Sequence, residues 1–176
     1  TLLAACALLA WAVWLHAAEG VTAQQVLVGQ SITLQGGKNA YGAAVMDGVR
    51  TYLDKINAQG GVHGRQVALR TLDDDSQAAK AEANARQLVE KDRVFVLFGS
   101  VEGGPSTAVM RVAVSHKVPF IGPMAGSPSL RVPHQPMVFP VRAEHKEEFR
   151  VLLEYAKMTG IQRVGFMRAD SDTGQQ

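Results

Sequence analysis

The sequence predicts an α/β protein, in which a parallel sheet is covered by helices in a three-layer arrangement. Segments rich in β-branched residues alternate with segments whose apolar residues recur at helical spacing, and turns rich in glycine or aspartate separate them. This alternation is typical of βαβ units, whose strands pair in parallel through right-handed crossovers. With 47% hydrophobic and 19% charged residues, the 176-residue chain has the composition of a folded globular protein.

The N-terminal segment, residues 1–23, is predicted to be a secretory signal peptide. Its first 18 residues contain no acid, lysine or arginine, and small-residue cleavage sites follow at "HAA" and "VTA". One alternative is an uncleaved membrane anchor, since about 17–25 apolar residues can span a bilayer. Another is lipidation of Cys6, because "LAAC" is similar to a bacterial lipobox. No cysteine follows the leader, so the mature part has no disulfide or thiolate metal site.

The first half of the chain predicts two strands and two helices. "QVLVGQSI" (residues 25–32) is the first strand, and the polar loop "TLQGGKNAYG" follows it. Apolar residues at helical spacing predict a helix over 43–57, which ends at the glycine-rich "AQGGVHG". "RQVALRTL" is the second strand. In the "DDDSQ" that follows, Asp75 or Ser76 is expected to cap a helix over 77–91.

The second half continues the alternation. The almost continuous apolar run "RVFVLFG" predicts a central strand that is covered on both faces. A helix over 107–116, the strand "KVPFIGP", the extended segment "MVFPVR", a helix over 144–159 and a last strand "RVGFMRA" follow it. Ligands of such sheets bind beyond the carboxyl ends of the strands. The candidate loops are therefore "TLQGGKNAYG", "GSVEGGPS" and "GPMAGSPS".

The turn after the third predicted strand lacks the motifs of a hydrolase and of a nucleotide site. A nucleophile elbow needs serine at the centre of G-x-S-x-G, whereas the five residues from Gly99 are G-S-V-E-G, with Val101 at the centre. Ser106 and Ser127 are the alternative nucleophiles, but no histidine lies in an obvious partner loop. Neither "GGKNAYG" nor "GSVEGG" matches the P-loop or dinucleotide pattern. We expect a protein that is not an enzyme and uses no cofactor.

Metal ions and nucleic acids are also unexpected partners. Asp73, Asp74 and Asp75 could ligate a hard cation, but acids just before a helix more simply complement its dipole. The five histidines show no ligand spacing for zinc. After residue 23, all 18 Lys and Arg residues are interspersed with 15 of the 16 acids, for a net charge of +3 without a basic block.

Binding through the backbone agrees best with the turn at Gly103 and Gly104. Glycines let a ligand approach the main chain, and the start of the following helix offers unpaired N–H groups to an anion. A carboxylate would satisfy those donors without any catalysis. The charge of Glu102 would repel an anion there, unless this side chain meets an ammonium group or faces solvent.

Three segments resemble the periplasmic substrate-binding proteins of ABC transporters, in the leucine/isoleucine/valine-binding class. They are "GQSITLQGGKNAYG", "GVRTYLDKINAQGGVHGRQVALRTLDDDSQ" and "VPFIGPMAGSPSLR". The resemblance implies two α/β lobes joined by a hinge, with the ligand held in the cleft between them. It places the N-terminal lobe at 24–142 and the crossover with the start of a truncated second lobe at 143–176. Since members run to about twice this length, the chain resembles an N-terminal fragment.

The resemblance also implies a function and a set of ligand contacts. The function is a monomeric periplasmic protein that captures an amino acid or similar small polar carboxylate and delivers it to a membrane permease. The alternatives are an extracytoplasmic ligand-sensing domain and an exported α/β hydrolase. The hydroxyl that relatives place near Gly103 and the threonine of their following loop are both missing here. The implied ligand-binding residues are Tyr41, Gly103, Gly104, Met124, Ala125, Gly126 and Ser127.

Overall fold

Five parallel strands form one sheet in the order β2-β1-β3-β4-β5, which confirms the predicted α/β class. The computed structural model describes residues 18–34, 40–168 and 170. Most of the predicted leader, residues 1–17, and half of the first candidate loop, residues 35–39, lie outside them. The elements are β1 (Gln25–Ile32), α1 (Ala40–Ala58), β2 (Gln66–Asp73), α2 (Ala78–Arg86, extended by a π-helical turn Gln87–Lys91), β3 (Val96–Ser100), α3 (Gly103–His116), β4 (Phe120–Pro123), a 3₁₀ turn (Pro128–Leu130), β5 (Val138–Phe139) and α4 (His145–Met158).

The hydrophobic core lies between the sheet and the pair formed by α2 and α3. Ala81 and Ala85 of α2, and Ala108 and Ala113 of α3, are completely buried. Such small side chains let two helices approach each other and the sheet closely. Leu88, Leu97 and Phe120, each at most 1% exposed, are among the largest buried side chains of this core.

The opposite face of the sheet is covered only in part within the described chain. Helix α1 lies over it and borders an apolar groove of about 410 Å³, whose lining includes Val28, Tyr52 and Phe98. Ile121, which also lines this groove, is 41% exposed, and Phe139, its partner in β5, is 52% exposed. Parallel sheets are normally covered on both faces, so the described residues account for less than the usual three layers on this side.

The predicted start of α3 and the predicted cap of α2 are wrong. Helix α3 begins at Gly103, four residues before the predicted start, so both glycines of the turn belong to its first turn. Pro105 suits this position, since its missing N–H has no partner to lose in a first helical turn. Helix α2 is capped by Gln77, without a side-chain cap bond, and not by Asp75 or Ser76. The Ser76 hydroxyl instead donates to Glu102.

The last predicted strand is not formed. Residues 161–168 have no regular secondary structure, and α4 before them has no buried residue. A strand needs a neighbour for its backbone hydrogen bonds, and no described strand pairs with this segment. Phe149 of α4 contacts Phe166 edge-to-face, with 5.1 Å between ring centroids. None of the helices in the described ranges has the length and apolar character needed to cross a membrane.

Candidate ligand-binding edge

The carboxyl ends of β1 and β2 are joined by hydrogen bonds to the buried carboxylate of Asp74. Thr33 Oγ1 donates to Asp74 Oδ1 at 2.7 Å, and Ser31 Oγ donates to Oδ2 at 3.1 Å. The backbone N–H of Ser76 also donates to Oδ1, at 3.1 Å. Asp74 is only 1% exposed. Its burial raises its pKa above the ordinary value, although the bonds from Thr33, Ser76 and Ser31 act in the opposite direction.

The acidic run therefore has a structural role. Asp73 Oδ1 accepts hydrogen bonds from the backbone N–H groups of Leu34 and Asp75, both at 3.0 Å. These bonds hold the end of β1 and the turn after β2. No group of three or more His, Cys, Asp or Glu residues among the described residues could hold a metal ion.

Glu102 connects this network to the N-terminus of α3. It occupies the N-cap position, and its side chain makes no cap bond to the helix. Its Oε1 instead accepts a hydrogen bond from Ser76 Oγ at 3.0 Å. This bond directs the carboxylate of Glu102 toward the turn after β2. The sequence left open whether this carboxylate faces solvent or an ammonium group. In the structure, one of its partners is the hydroxyl of Ser76.

Gly103 and Gly104 follow directly as the first two residues of α3, and both are buried. Two buried hydroxyls lie close to them in sequence, on Ser100 at the end of β3 and on Ser106 in α3. Neither Oγ atom has a hydrogen-bond partner among the described residues. The sequence has no hydroxyl at position 103. Ser100 and Ser106, which are close to it in sequence, could supply a hydroxyl at this edge of the sheet instead.

The loop after β4, residues 124–127, is hereafter called the β4 loop and contains four of the predicted ligand residues. The backbone N–H of Met124 donates to Ser100 O at 2.8 Å, which places the start of the loop beside the end of β3. Ala125 and Gly126 are buried, and Ser127 is 0% exposed. The Ser127 hydroxyl is engaged within the protein, since it lies 2.9 Å from Ser129 Oγ.

The three carbonyl groups at the end of the β4 loop are all used as acceptors. Arg131 Nη1 donates to Ala125 O at 3.3 Å and to Ser127 O at 2.9 Å. The backbone N–H of His145 donates to Gly126 O at 2.9 Å. By contrast, no acceptor is found among the described residues for the N–H groups of Ala125, Gly126 and Ser127. The loop thus offers three backbone donors on buried residues.

Tyr41 lies in the first turn of α1 and is 76% exposed. It is close enough to Arg142 to contribute to the raised pKa of that guanidinium, whose main cause is the hydrogen bond to Glu148. Arg142 Nε and Nη2 donate to the two carboxylate oxygens of Glu148 at 2.7 and 2.8 Å. The Arg142 carbonyl accepts from Arg131. Tyr41 therefore lies on the same side of the lobe as the segment that supports the β4 loop.

The sequence did not single out Asp74 as a ligand-edge residue, nor Thr33, Arg131 or His145. Arg131 lies four residues after Ser127, at the end of "GPMAGSPSLR". This segment is one of the three that carry the family resemblance, so the sequence could have indicated a role for Arg131. His145 carried no signal, because its contact with Gly126 joins residues from different elements.

Comparisons with known proteins agree with this architecture. Residues 25–176 match the model of a family described as periplasmic binding protein. The Leu/Ile/Val-binding protein BraC3 of Rhizobium johnstonii is 32% identical over 105 residues, which are 60% of this chain and 28% of that protein.

Two solved structures are similar as well. A substrate-binding periplasmic protein from Ralstonia solanacearum superposes with a TM-score of 0.79 at 27% identity, covering 86% of this chain and 43% of that one. The branched-chain amino acid transporter substrate-binding protein LivJ of Streptococcus pneumoniae, in complex with isoleucine, has a TM-score of 0.62 at 25% identity, covering 69% of this chain and 34% of that one. The chain thus spans less than half the length of these proteins.

Proteins named for substrate binding retain their ligand rather than transform it, which agrees with the expectation that this chain is not an enzyme. The parallel sheet, the glycine-rich start of α3 and the match over residues 25–176 lead to one conclusion: the chain belongs to the periplasmic binding protein family.

Proposed function

We propose that the full-length protein is the solute-binding component of an ABC uptake system and captures an amino acid or similar small polar carboxylate. The observation that carries this proposal is the set of unpaired N–H groups at Ala125, Gly126 and Ser127. Buried backbone N–H groups are rarely left without an acceptor, because their desolvation is costly. A ligand carboxylate would provide the missing acceptor oxygens.

The first turn of α3 would add to this attraction. Its Gly103 and Gly104 carry no side chain that could block the backbone, and a helix N-terminus favours negative charge. Met124 N bonds to Ser100 O, so the β4 loop and the end of β3 lie side by side. The positive end of the α3 dipole and the donors of the β4 loop would therefore act on one anionic group.

An α-amino acid is the ligand class that we favour. The Rhizobium johnstonii relative is named for binding leucine, isoleucine and valine, and the Streptococcus pneumoniae relative was solved with isoleucine. We propose that Tyr41 closes over the bound molecule from α1. The ammonium group would then meet an acidic or carbonyl oxygen of the same edge.

The rest of the mechanism depends on residues outside this chain. We propose that a second lobe, beginning with residues 143–176, closes over the first and retains the ligand, since a ligand that binds the closed state more tightly shifts the population toward it. The loaded protein would deliver its ligand to a membrane permease. Export to the periplasm by a signal that lies within residues 1–23 belongs to this proposal.

A thermal-shift titration of the full-length protein tests the proposed function. A ligand that binds only the native state raises the melting temperature, and the shift grows with the ratio of the free ligand concentration to the dissociation constant. We expect L-leucine, L-isoleucine or another amino acid of a broad panel to raise it, and L-leucinamide, which lacks the carboxylate, to raise it much less. A panel of amino acids and small carboxylates without any shift would reject the proposal. An equal shift by leucine and leucinamide would reject the role of the backbone donors.

A further inference from the structure

Arg131 lies behind the β4 loop and connects it to the segment that leads into α4. Its guanidinium donates to Ala125 O and Ser127 O through Nη1, and to Arg142 O through Nη2. Arg131 is half-buried, and its hydrogen bonds within the described residues all go to backbone carbonyl groups. A charged side chain that is used for backbone carbonyls alone is serving to hold the main chain in one conformation.

The peptide geometry translates this contact into a direction for the donors. In a trans peptide unit, the carbonyl group and the following N–H group point in opposite directions. Arg131 draws the carbonyl of Ala125 toward itself, so the N–H of Gly126 points the other way. The His145 N–H draws the carbonyl of Gly126 in the same manner, which turns the N–H of Ser127 away.

His145 reinforces the arrangement through its ring. The imidazole packs directly on Gly126, where the Cβ of any other residue would overlap its Cδ2 atom. Just before it, the Val141 N–H donates to Pro123 O at 3.2 Å. The β4 loop is thus fastened to residues 141–145 on its carbonyl side, while the N–H groups of Ala125, Gly126 and Ser127 have no partner in the described chain.

We propose that Arg131 is a positioning residue for ligand binding, which orients the N–H group of Gly126 toward the bound carboxylate. This inference rests on the proposed function, because it names the group that sets the direction of one of the proposed donors. Arg131 does not touch the ligand. It acts by holding the Ala125 carbonyl on the far side of the same peptide unit, and its bond to Ser127 O fixes the main chain just beyond this unit.

The role requires arginine rather than any cation. Guanidinium presents several donors in a rigid plane and therefore bonds three carbonyl groups at once, whereas lysine carries its three donors on one flexible nitrogen. Arg131→Lys keeps the charge and loses this geometry. Arg131→Gln loses both. Arg150→Gln is the matched control, since Arg150 bonds only Glu147 and Glu154 on the exposed surface of α4.

The test measures two properties of the full-length wild type and the three variants. The first is the affinity for L-leucine and for L-leucinamide, by calorimetry. We expect Arg131→Gln to weaken the affinity for leucine by about tenfold or more, which is the effect of losing one hydrogen bond to a charged group. The affinity of Arg131→Gln for leucinamide should fall by less. The affinity of Arg131→Lys for leucine should lie between those of the wild type and Arg131→Gln, and Arg150→Gln should bind as the wild type does.

The second property is amide hydrogen exchange at His145 and Leu130, whose N–H groups donate to Gly126 O and Ser127 O. We expect Arg131→Gln to accelerate both, and Arg150→Gln to leave both unchanged. Unchanged exchange in Arg131→Gln overturns the inference, whatever ligand binds. So does an equal loss of affinity for leucine and leucinamide. If the wild type binds neither compound while exchange rises in Arg131→Gln, the choice of ligand fails and the control of the loop by Arg131 stands.

Discussion

Thr33 Oγ1 lies 2.7 Å from Asp74 Oδ1 and donates a hydrogen bond that joins the ends of β1 and β2 across 41 residues of sequence. The same hydroxyl oxygen accepts from the Ser76 N–H at 3.1 Å. Thr33 is 1% exposed, and so is Asp74. In a buried site a hydrogen bond holds its partners firmly, because leaving a polar group there without a partner costs free energy of desolvation. The bond therefore sets the positions from which two loops of the candidate ligand-binding edge depart.

Removing the Thr33 hydroxyl should loosen this junction. Thr33→Val keeps the shape of the side chain and deletes both hydrogen bonds, leaving the Ser76 N–H with one acceptor fewer. We expect a loss of about 1–3 kcal/mol in the free energy of unfolding, measured by denaturant titration of the full-length protein. Thr51→Val is the control, because Thr51 is exposed and its hydroxyl bonds only to Asp47 O. An equal effect of the two substitutions would contradict the importance of the buried bond.

Asp74 makes the stability depend on pH. Since burial raises its pKa in the folded state, the proton binds more tightly to the folded than to the unfolded protein. The resulting stabilisation is complete below the unfolded value of about 3.9 and is lost as the pH rises through the raised folded value. Asp74→Asn remains neutral throughout. We therefore expect the melting temperature of Asp74→Asn, relative to the wild type, to increase between about pH 4 and pH 7. A constant difference across this interval would show that Asp74 is not responsible.

Two glycines of α1 should respond oppositely to alanine. At Gly42 an added Cβ would overlap the carbonyl oxygen of Thr33, so Gly42→Ala must push the helix away from β1. At Gly48 an added Cβ meets no atom within 4 Å. Gly48→Ala should therefore stabilise the protein by about 0.5–1 kcal/mol, as expected for a helix interior. Gly42→Ala should destabilise it by about 1–3 kcal/mol. Thermal melts of both variants check the prediction, and a shift of the same sign in both would refute it.

The contact between Gly126 and His145 predicts coupled substitutions. Gly126→Ala should destabilise the protein by about 1–3 kcal/mol, because its Cβ overlaps the imidazole ring. His145→Ala removes the ring and leaves its backbone hydrogen bond to Gly126 O in place. Adding His145→Ala to Gly126→Ala should then restore part of the lost stability. A double-mutant cycle measures this coupling, and strictly additive effects would show that the overlap is absent.

The segment before β1 predicts where an export signal would be cleaved. Gly20 O accepts from the Leu27 N–H at 2.7 Å, and the Thr22 carbonyl accepts from Arg65 Nε at 2.9 Å. Cleavage at "HAA", after Ala18, keeps both contacts, whereas cleavage at "VTA", after Ala23, removes them. We expect the exported protein to begin at Glu19, as determined by mass spectrometry of its N-terminal peptide. A mature protein that begins at Gln24 would contradict this expectation.

The sequence by itself determined the order of strands and helices. Strand β1 occupies Gln25–Ile32 as predicted, since alternating β-branched residues between polar turns are a local signal. Helix α4 matches its prediction to within one residue at each end. The glycines of the candidate ligand-binding edge were equally visible, because they are local features of the sequence.

Only the tertiary structure decided what surrounds those glycines. Arg131 and His145 turn the carbonyl groups of the β4 loop to one side, and Ser76 draws Glu102 toward the β2 turn. Asp74 becomes a buried junction between the ends of two strands. Each of these contacts joins residues from different elements or loops, and each depends on burial, which composition and periodicity do not encode. Packing therefore sets the directions of the hydrogen-bond donors and acceptors at this edge. The sequence sets which segments form the strands and helices that pack together.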